Sequence, residues 1–455
     1  MFDLVNKVGN RDQRQRKGAK KIVGAEREEP RREVPGKKNH HSEQREDTKD
    51  SGDGTMGTVK TRIHGGSINE PKPIYGRKPW SRTTRIDHSD RHNMKINPAE
   101  LGIPVRTLRL TVDAHDLESE ASQGSLRKAA SILQAGGLVA FPTETVYGLG
   151  ANALDVAAVG RIFAAKQRPE WDPVIVHIAD MEMLAQVAAS IPPNAERLWR
   201  VFWPGPLTLL LPRHENVPIS VTAGRQSVGV RMPAHPVALE LIRKAGIPIA
   251  APSANTFGRI SPTLAEHVLE DLDGRIDAIL DSGETTHGLE STVVDPCQNP
   301  VMVYRPGVIT LEQIRAVCGE AQAYAEAQST DAPPESQPSP GVSIRHYAPH
   351  ARLVLVEGSG AEQAKAFRDA TQQARREHER LGLMLPDDFG SAVNDGVLIY
   401  RWGAWSDEEE LAQRLFAGLR ELDRLGATVI VCPLPADEGI GTAICDRLRK
   451  AARKK

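Results

Sequence analysis

Lys166 and Arg168 stand two positions apart at the end of a helical pattern, Arg231 closes an alternating strand-like run, and Arg305 follows another. Cations are the groups that bind anions, and the planar fork of arginine suits a carboxylate in particular. Small polar groups accompany them: Thr145 in PTETVYGLG (142–150), Ser253 and Asn255 in APSAN (251–255), Ser291 in LESTVVD (289–295), and His177 in the run 174–178. With KQRP (166–169), VRMP (230–233) and YRPG (304–307) there are six short polar segments, each at a strand end, where open α/β sheets place ligands. Each also has an ordinary structural use. Pro and Gly end strands, Ser and Thr cap helices, a basic residue in a last helical turn complements the dipole, and a lone strand-end histidine is satisfied in the core.

The common nucleotide and metal signatures GxxxxGK[ST] and HExxH, and the zinc-deaminase pattern, do not occur. Gly148, Gly150 and Ala153 form a GxGxxA, but the preceding strand ends at Pro142 and TETVY intervenes, so the glycines are not the immediate strand-to-helix turn of a dinucleotide site. Cys297, Cys318, Cys432 and Cys445 are too scattered for a zinc site and fit free thiols in a reducing cytosol. The sequence has no apolar run of membrane-spanning length and no secretory leader pattern, which gives a cytoplasmic expectation and no membrane partner.

The elements that must position these residues begin near residue 105. Residues 1–100 carry 23 Lys+Arg against 15 Asp+Glu with few apolar residues and no period, so 1–104 is expected to be a disordered charged tail. Beyond it, Ser125 is read as capping a helix whose Leu126, Ala129, Ile132 and Leu133 share a face, followed by a buried strand over 138–141. Apolar runs at 174–178, 207–211, 228–230, 247–251, 278–280, 292–294 and 301–304 alternate with helical patterns at 157–166, 236–245 and 310–318. That is an α/β domain over 105–324. The Pro- and Ser-rich stretch 325–341 starts a linker reaching to 350, and 351–455 reads as a smaller parallel-sheet α/β unit with helices near 361–380 and 407–424.

In this order and spacing the six segments closely resemble the YrdC/Sua5 family, and SPGVSIRHYAPH (339–350) resembles its interdomain segment SPG…HYAP. The resemblance covers about residues 115–450. It implies a YrdC-like twisted-sheet α/β domain followed by a smaller Rossmann-like α/β domain. The implied activity joins L-threonine, bicarbonate and ATP, with Mg2+, into threonylcarbamoyl-AMP and pyrophosphate. The product would go to a tRNA threonylcarbamoyl transferase for t6A modification.

By the same resemblance Lys166 and Arg168 are catalytic and meet ATP phosphates, as exposed cations whose loss lowers turnover and spares folding. Asp172, Ser227, Ser253, Asn255, Ser261, Arg305 and Tyr347 join them on the ATP side. Thr145, His177, Arg231, Ala251 and Ser291 surround threonine, with Arg231 on its carboxylate. The chain departs from the family pattern at Asp172, where Asn is usual, at Ser227, where Thr is common, and at Ile344 and Arg345 before His346. No resident metal is implied, and the C-terminal domain is expected to act as a cover, a regulator or a stability domain.

An RNA-binding or ribosome-associated module is the competing reading, because phosphates of RNA and ATP call for the same cations. Thr145, Ser253, Asn255 and Ser291 favour a compact amino acid and nucleotide, whereas RNA binding favours exposed aromatics, which make up 4% of the chain. Weak RNA contact by the basic tail is compatible with either.

Overall fold

The computed structural model describes residues 106–325, 336, 337, 339, 341, 346–377, 379–389 and 396–453. The expected tail and most of the linker therefore lie outside the described residues.

The chain starts with β1 (Leu108–Thr111), α1 (Glu120–Gln134), β2 (Val139–Phe141) and β3 (Gly148–Asn152). It continues through α2 (Val156–Lys166), β4 (Val176–His177), α3 (Met181–Val187), α4 (Pro193–Phe202), β5 (Leu207–Pro212), β6 (Ser227–Arg231), α5 (Pro236–Ala245) and β7 (Ile249–Ala250). The first region ends with α6 (Ala265–Leu272), β8 (Ala278–Asp281), β9 (Thr292–Asp295), β10 (Val301–Arg305), α7 (Leu311–Cys318) and β11 (Ala321–Ala323). Its strands form one eleven-stranded mixed sheet in the order β1-β8-β2-β3-β7-β4-β6-β5-β9-β10-β11.

The cap of α1 corrects the sequence reading. Ser119, and not Ser125, accepts from the Ser122 amide, and the helix starts at Glu120. An Asp116 turn supplies that earlier start, with its carboxylate taking the Ser119 amide at 3.2 Å. The GxGxxA decoy also finds its explanation, since Gly148 and Gly150 lie on β3 between β2 and β7. A Cβ at Gly150 would sit 2.8 Å from the Phe141 ring and 2.9 Å from Ile249, so close strand packing requires glycine there.

The second region contains β12 (Arg352–Val356), α8 (Gly360–Arg376), β13 (Leu381–Leu385), β14 (Leu398–Arg401), α9 (Glu408–Arg424), β15 (Val429–Pro433) and α10 (Gly441–Ala452). Its four strands are all parallel, in the order β12-β15-β13-β14. The period-2 alternation of β15 separates two cores. Val429 and Val431 join Phe367 and Ala374 of α8, whereas Ile430 and Cys432 join Leu415, Phe416, Ile444 and Leu448 of α9 and α10. That second core also takes in Val146, Ile260, Leu289 and Tyr347, so the α9/α10 layer is packed on segments of the first region. Among the described residues no helix is long and apolar enough to cross a membrane, and all four cysteines are free.

Candidate active site

Strand register assembles the site. β4 and β6 are parallel neighbours with His177 opposite Arg231, and β4 is antiparallel to β7, whose end leads directly into Ala251 and Ser253. An isolated bridge joins Ser253 to Gly148 at the start of β3. On the other side, β9 and β10 pair with a register shift between Val303 and Arg305. Such an irregularity re-aims a side chain. Here Arg305 donates from Nε to the Ser291 carbonyl at 3.0 Å and from Nη2 to Ser291 Oγ at 3.0 Å.

These ends enclose a narrow cavity of about 50 Å³, room for a few waters. Thr145, Arg168, His177, Arg231, Ala251, Ser253, Ser291, Arg305 and Tyr347 line it. Thr143, Glu290, Gly341 and His346 also line it, so the linker segment carrying Gly341, His346 and Tyr347 forms part of the wall. Tyr347 has a left-handed backbone (φ 63°) and stacks on Phe416 of α9 at 5.6 Å, while His346 meets Phe257 edge-on at 5.7 Å.

Arg231 is 3% exposed and fully engaged in orientation. It donates to the Gly205 carbonyl at 3.1 Å, Thr145 Oγ1 at 2.8 Å and Glu144 Oε1 at 2.6 Å. Each terminal nitrogen has a second N–H to offer. Burial pushes the Glu144 carboxyl up, but the charge and hydrogen bond of Arg231 outweigh it and hold the group below the usual carboxylate range. His177, buried beside Arg231, is pushed down to about 3, first by burial and then by that cation, so it is neutral at physiological pH.

The KQRP segment departs from the expectation of exposed cations. Lys166 is 1% exposed and Arg168 is 8% exposed. Gln167 between them is a left-handed cap (φ 54°), which turns the chain after α2 and sends the two side chains to different places. Lys166 Nζ donates to the Ser253 carbonyl at 2.5 Å and to the Asn255 carbonyl, so it fastens the APSAN loop to α2. Burial, then the neighbouring Arg168, lowers its pKa well below that of a free lysine. Arg168 faces the cavity, donating to the Asp172 carbonyl at 3.1 Å and the Pro173 carbonyl at 2.7 Å. Its Nη2 lies 2.9 Å from the Asp172 carboxylate, which makes an ion pair without an aligned hydrogen bond. Burial pushes the Asp172 carboxyl up, against the pull of Arg168.

Four further residues singled out from sequence are outside the lining. Asp172 backs Arg168, and Asn255 donates to the Thr256 and Arg259 carbonyls at 2.7 and 3.0 Å, shaping the loop. Ser261 hydroxyl donates to Glu290 Oε1 at 2.5 Å. Ser227 begins β6 and borders a separate depression with Arg225, Asp295 and Tyr304. Sequence reasoning passed over Glu144 and Glu290, although both lie inside quoted segments. Each immediately precedes a hydroxyl residue that drew attention, Thr145 or Ser291, and only the fold shows that they receive the arginines. Buried polar atoms without a hydrogen-bond partner collect here: His177 Nδ1, Asn255 Oδ1, His346 Nδ1 and the Tyr347 hydroxyl. Such groups cost free energy unless a ligand or water satisfies them.

Both regions of the chain match known proteins. A family model described as telomere recombination matches residues 131–307, and a model of the threonylcarbamoyl-AMP synthase C-terminal domain matches 309–453. The chain is 44% identical to a threonylcarbamoyl-AMP synthase of Pyrococcus abyssi over 74% of its length and 96% of the relative's. It is 41% identical to that of Bacillus subtilis, with 76% and 98% covered. A crystal structure of P. abyssi Sua5 complexed with L-threonine superposes with a TM-score of 0.70 at 43% identity, covering 76% of this chain and 98% of that one. With both domains matched in order and nearly the whole of each relative spanned, the chain belongs to the YrdC/Sua5 family in its two-domain, threonylcarbamoyl-AMP synthase form.

Proposed function

We propose that this chain forms threonylcarbamoyl-AMP and pyrophosphate from L-threonine, bicarbonate and ATP, as a nucleotidyltransferase of the cytoplasm that supplies a tRNA threonylcarbamoyl transferase for t6A. The observation that carries this reading is the convergence of all six polar segments on one cavity. The small uncharged polar groups among its lining, Thr145, Ser253 and Ser291, favour an amino acid and a nucleotide over an RNA strand.

In this reading the amine of threonine bonds to the carbon of bicarbonate while the C–OH bond breaks and water leaves, which gives the carbamate. A carbamate oxygen then bonds to the α-phosphorus of ATP while the bond to the β-phosphate oxygen breaks, and pyrophosphate leaves. Arg231 offers its remaining N–H groups to the threonine carboxylate, and Thr145, His177, Ala251 and Ser291 surround the rest of the amino acid. His177 serves as a neutral contact, because an imidazole with its pKa at about 3 is a poor base at pH 7. Arg168 and Arg305 face the phosphates and stabilise the charge that develops on the leaving pyrophosphate. Ser253 and Tyr347 complete the nucleotide side, while Lys166 and Asn255 act by shaping the loop that carries Ser253. Asp172 and Ser261 contribute through Arg168 and Glu290, and the placement of Ser227 gives no support to a nucleotide contact.

Among the described residues no cluster of three or more His, Cys, Asp or Glu is gathered to hold a metal. Mg2+ would arrive with the ATP phosphates and offset part of their charge. The test is pyrophosphate release with L-threonine, bicarbonate, ATP and Mg2+, each left out in turn. Release that persists without threonine or bicarbonate would remove the synthase reading.

A further inference from the structure

Arg447 is completely buried on α10, yet much of its hydrogen bonding is directed outside its own domain. Nε donates to Glu290 Oε2 at 2.8 Å and Nη2 donates to the Pro306 carbonyl at 3.0 Å. The guanidinium carbon lies 5.2 Å from the centre of the Tyr347 ring, within cation–π range. Nη1 pairs with Asp446 at 2.5 Å, and Asp446 is shared with Lys450, whose Nζ also donates to the Gly341 carbonyl at 2.7 Å. Three contacts of α10 thus reach groups that line the cavity: Glu290, Tyr347 and Gly341.

Glu290 poses an electrostatic problem for the reaction. It is 6% exposed, its first oxygen accepts from Ser261, and it lines a cavity proposed to hold a triphosphate and a carboxylate. A buried carboxylate there would repel both substrates unless a cation compensates it, and Arg447 is its ion-pair partner at 2.8 Å. Arg447 itself does not line the cavity, so its influence runs through Glu290 and Tyr347.

We propose that Arg447 is a positioning residue for the synthesis: from the second domain it neutralises Glu290 and holds the Tyr347 ring against the cavity, so that anionic ATP meets a completed pocket. The proposal rests on the synthase reading. It gives the second domain a direct part in substrate binding beyond covering the site.

The test uses full-length wild type, Arg447→Met, Arg447→Lys, Glu290→Gln and the Arg447→Met/Glu290→Gln double variant. For each, threonine-dependent pyrophosphate release is measured across ATP concentrations, alongside the melting temperature. Arg447→Met is expected to raise KM for ATP about tenfold or more, with a smaller change in kcat, because it leaves a buried carboxylate unpaired. Adding Glu290→Gln should bring KM most of the way back, and Arg447→Lys, which keeps the charge and loses the fork, should fall between. If Arg447→Met does not fold, the lysine variant and the double variant carry the comparison. An unchanged KM in a single Arg447 variant, or a double variant that melts like wild type without recovering KM, would overturn the proposal. If wild type itself gives no threonine-dependent release, the synthase reading falls. The melting temperatures then decide the charge compensation: non-additive losses support it, and additive losses overturn it.

Discussion

Arg168 and Arg231 find their carboxylates, Asp172 and Glu144, within the first domain, whereas Arg447 reaches Glu290 from the second. The first arrangement is set by strand register and a single left-handed cap, so the floor of the cavity is organised by one sheet. The second depends on α9 and α10 being seated over Val146, Ile260 and Leu289. The floor is therefore preorganised by its own domain, while the wall formed by His346 and Tyr347 is held by contacts to both domains. Loss of the second domain is therefore expected to disturb the wall more than the floor.

The largest effect expected on the floor is from Arg168→Ala, which removes a cation facing the proposed phosphates. Turnover should fall by about 10²-fold or more, the range for losing one charge-stabilising donor. Lys166→Ala should instead act on stability, since it leaves the Ser253 and Asn255 carbonyls without their buried donor at a cost of about 1–3 kcal/mol. Steady-state rates and chemical denaturation of both variants separate the two roles. Equal behaviour of the pair would dissolve the distinction between a cavity cation and a loop fastener.

Next in size is the discrimination between threonine and valine. If the hydroxyl of the substrate is met by polar partners such as Thr145 or His177, valine leaves them unpaired, and kcat/KM should drop by about 10²-fold or more. Equal rates would mean that the floor recognises only the amino acid backbone.

The wall is probed by ending the chain after residue 325. Leu289 at 0% and Ile260 at 2% exposure would become solvent-accessible, and each fully buried aliphatic side chain contributes about 1.5–3 kcal/mol. A lower melting temperature is expected together with impaired synthesis, because the His346–Tyr347 segment goes as well. A truncated chain with wild-type stability and product yield per ATP would show that the second domain has another purpose.

How much of this was legible in sequence follows the same division. Five of the six segments lie at strand ends while KQRP follows the end of helix α2, and most predicted strands and helices stand within a few residues of their observed limits. The start of α1 and the strand β3 were hidden, and β1, α3, α4, α6, β11 and α10 were not singled out. The Asp116 turn preceding Ser119 has no apolar period, and β3 is built of glycines whose purpose is close packing against Phe141 and Ile249. Arg447 was invisible for another reason. In CDRLRK (445–450) it looks like any solvated helical arginine, and only the packing of α10 on the first region buries it completely. Likewise, nothing in KQRP distinguishes Lys166 from Arg168 until the cap at Gln167 separates them.

The last effect expected is a dependence of stability on pH that belongs to the floor. His177 is pushed down to about 3 by burial and by Arg231, with Glu144 pulling the other way, whereas in the unfolded chain it should titrate near 6.5. Between these values the unfolded state binds the extra proton, so stability rises with pH. The contribution is fully present above about pH 6.5 and declines as pH falls toward 3, by about 1.4 kcal/mol per pH unit for one proton. His346 is shifted in the same direction by burial and by Arg168 and Lys166, and adds to the slope. Asp172, raised by burial, has the opposite sign, because its folded form holds its proton more tightly than the unfolded one. Denaturation midpoints between pH 4 and 7 for wild type and His177→Gln measure the histidine share. The variant should show a shallower dependence by roughly one proton. If both chains give the same slope, His177 is not the neutral, desolvated partner of Arg231 that the register of β4 and β6 places beside it.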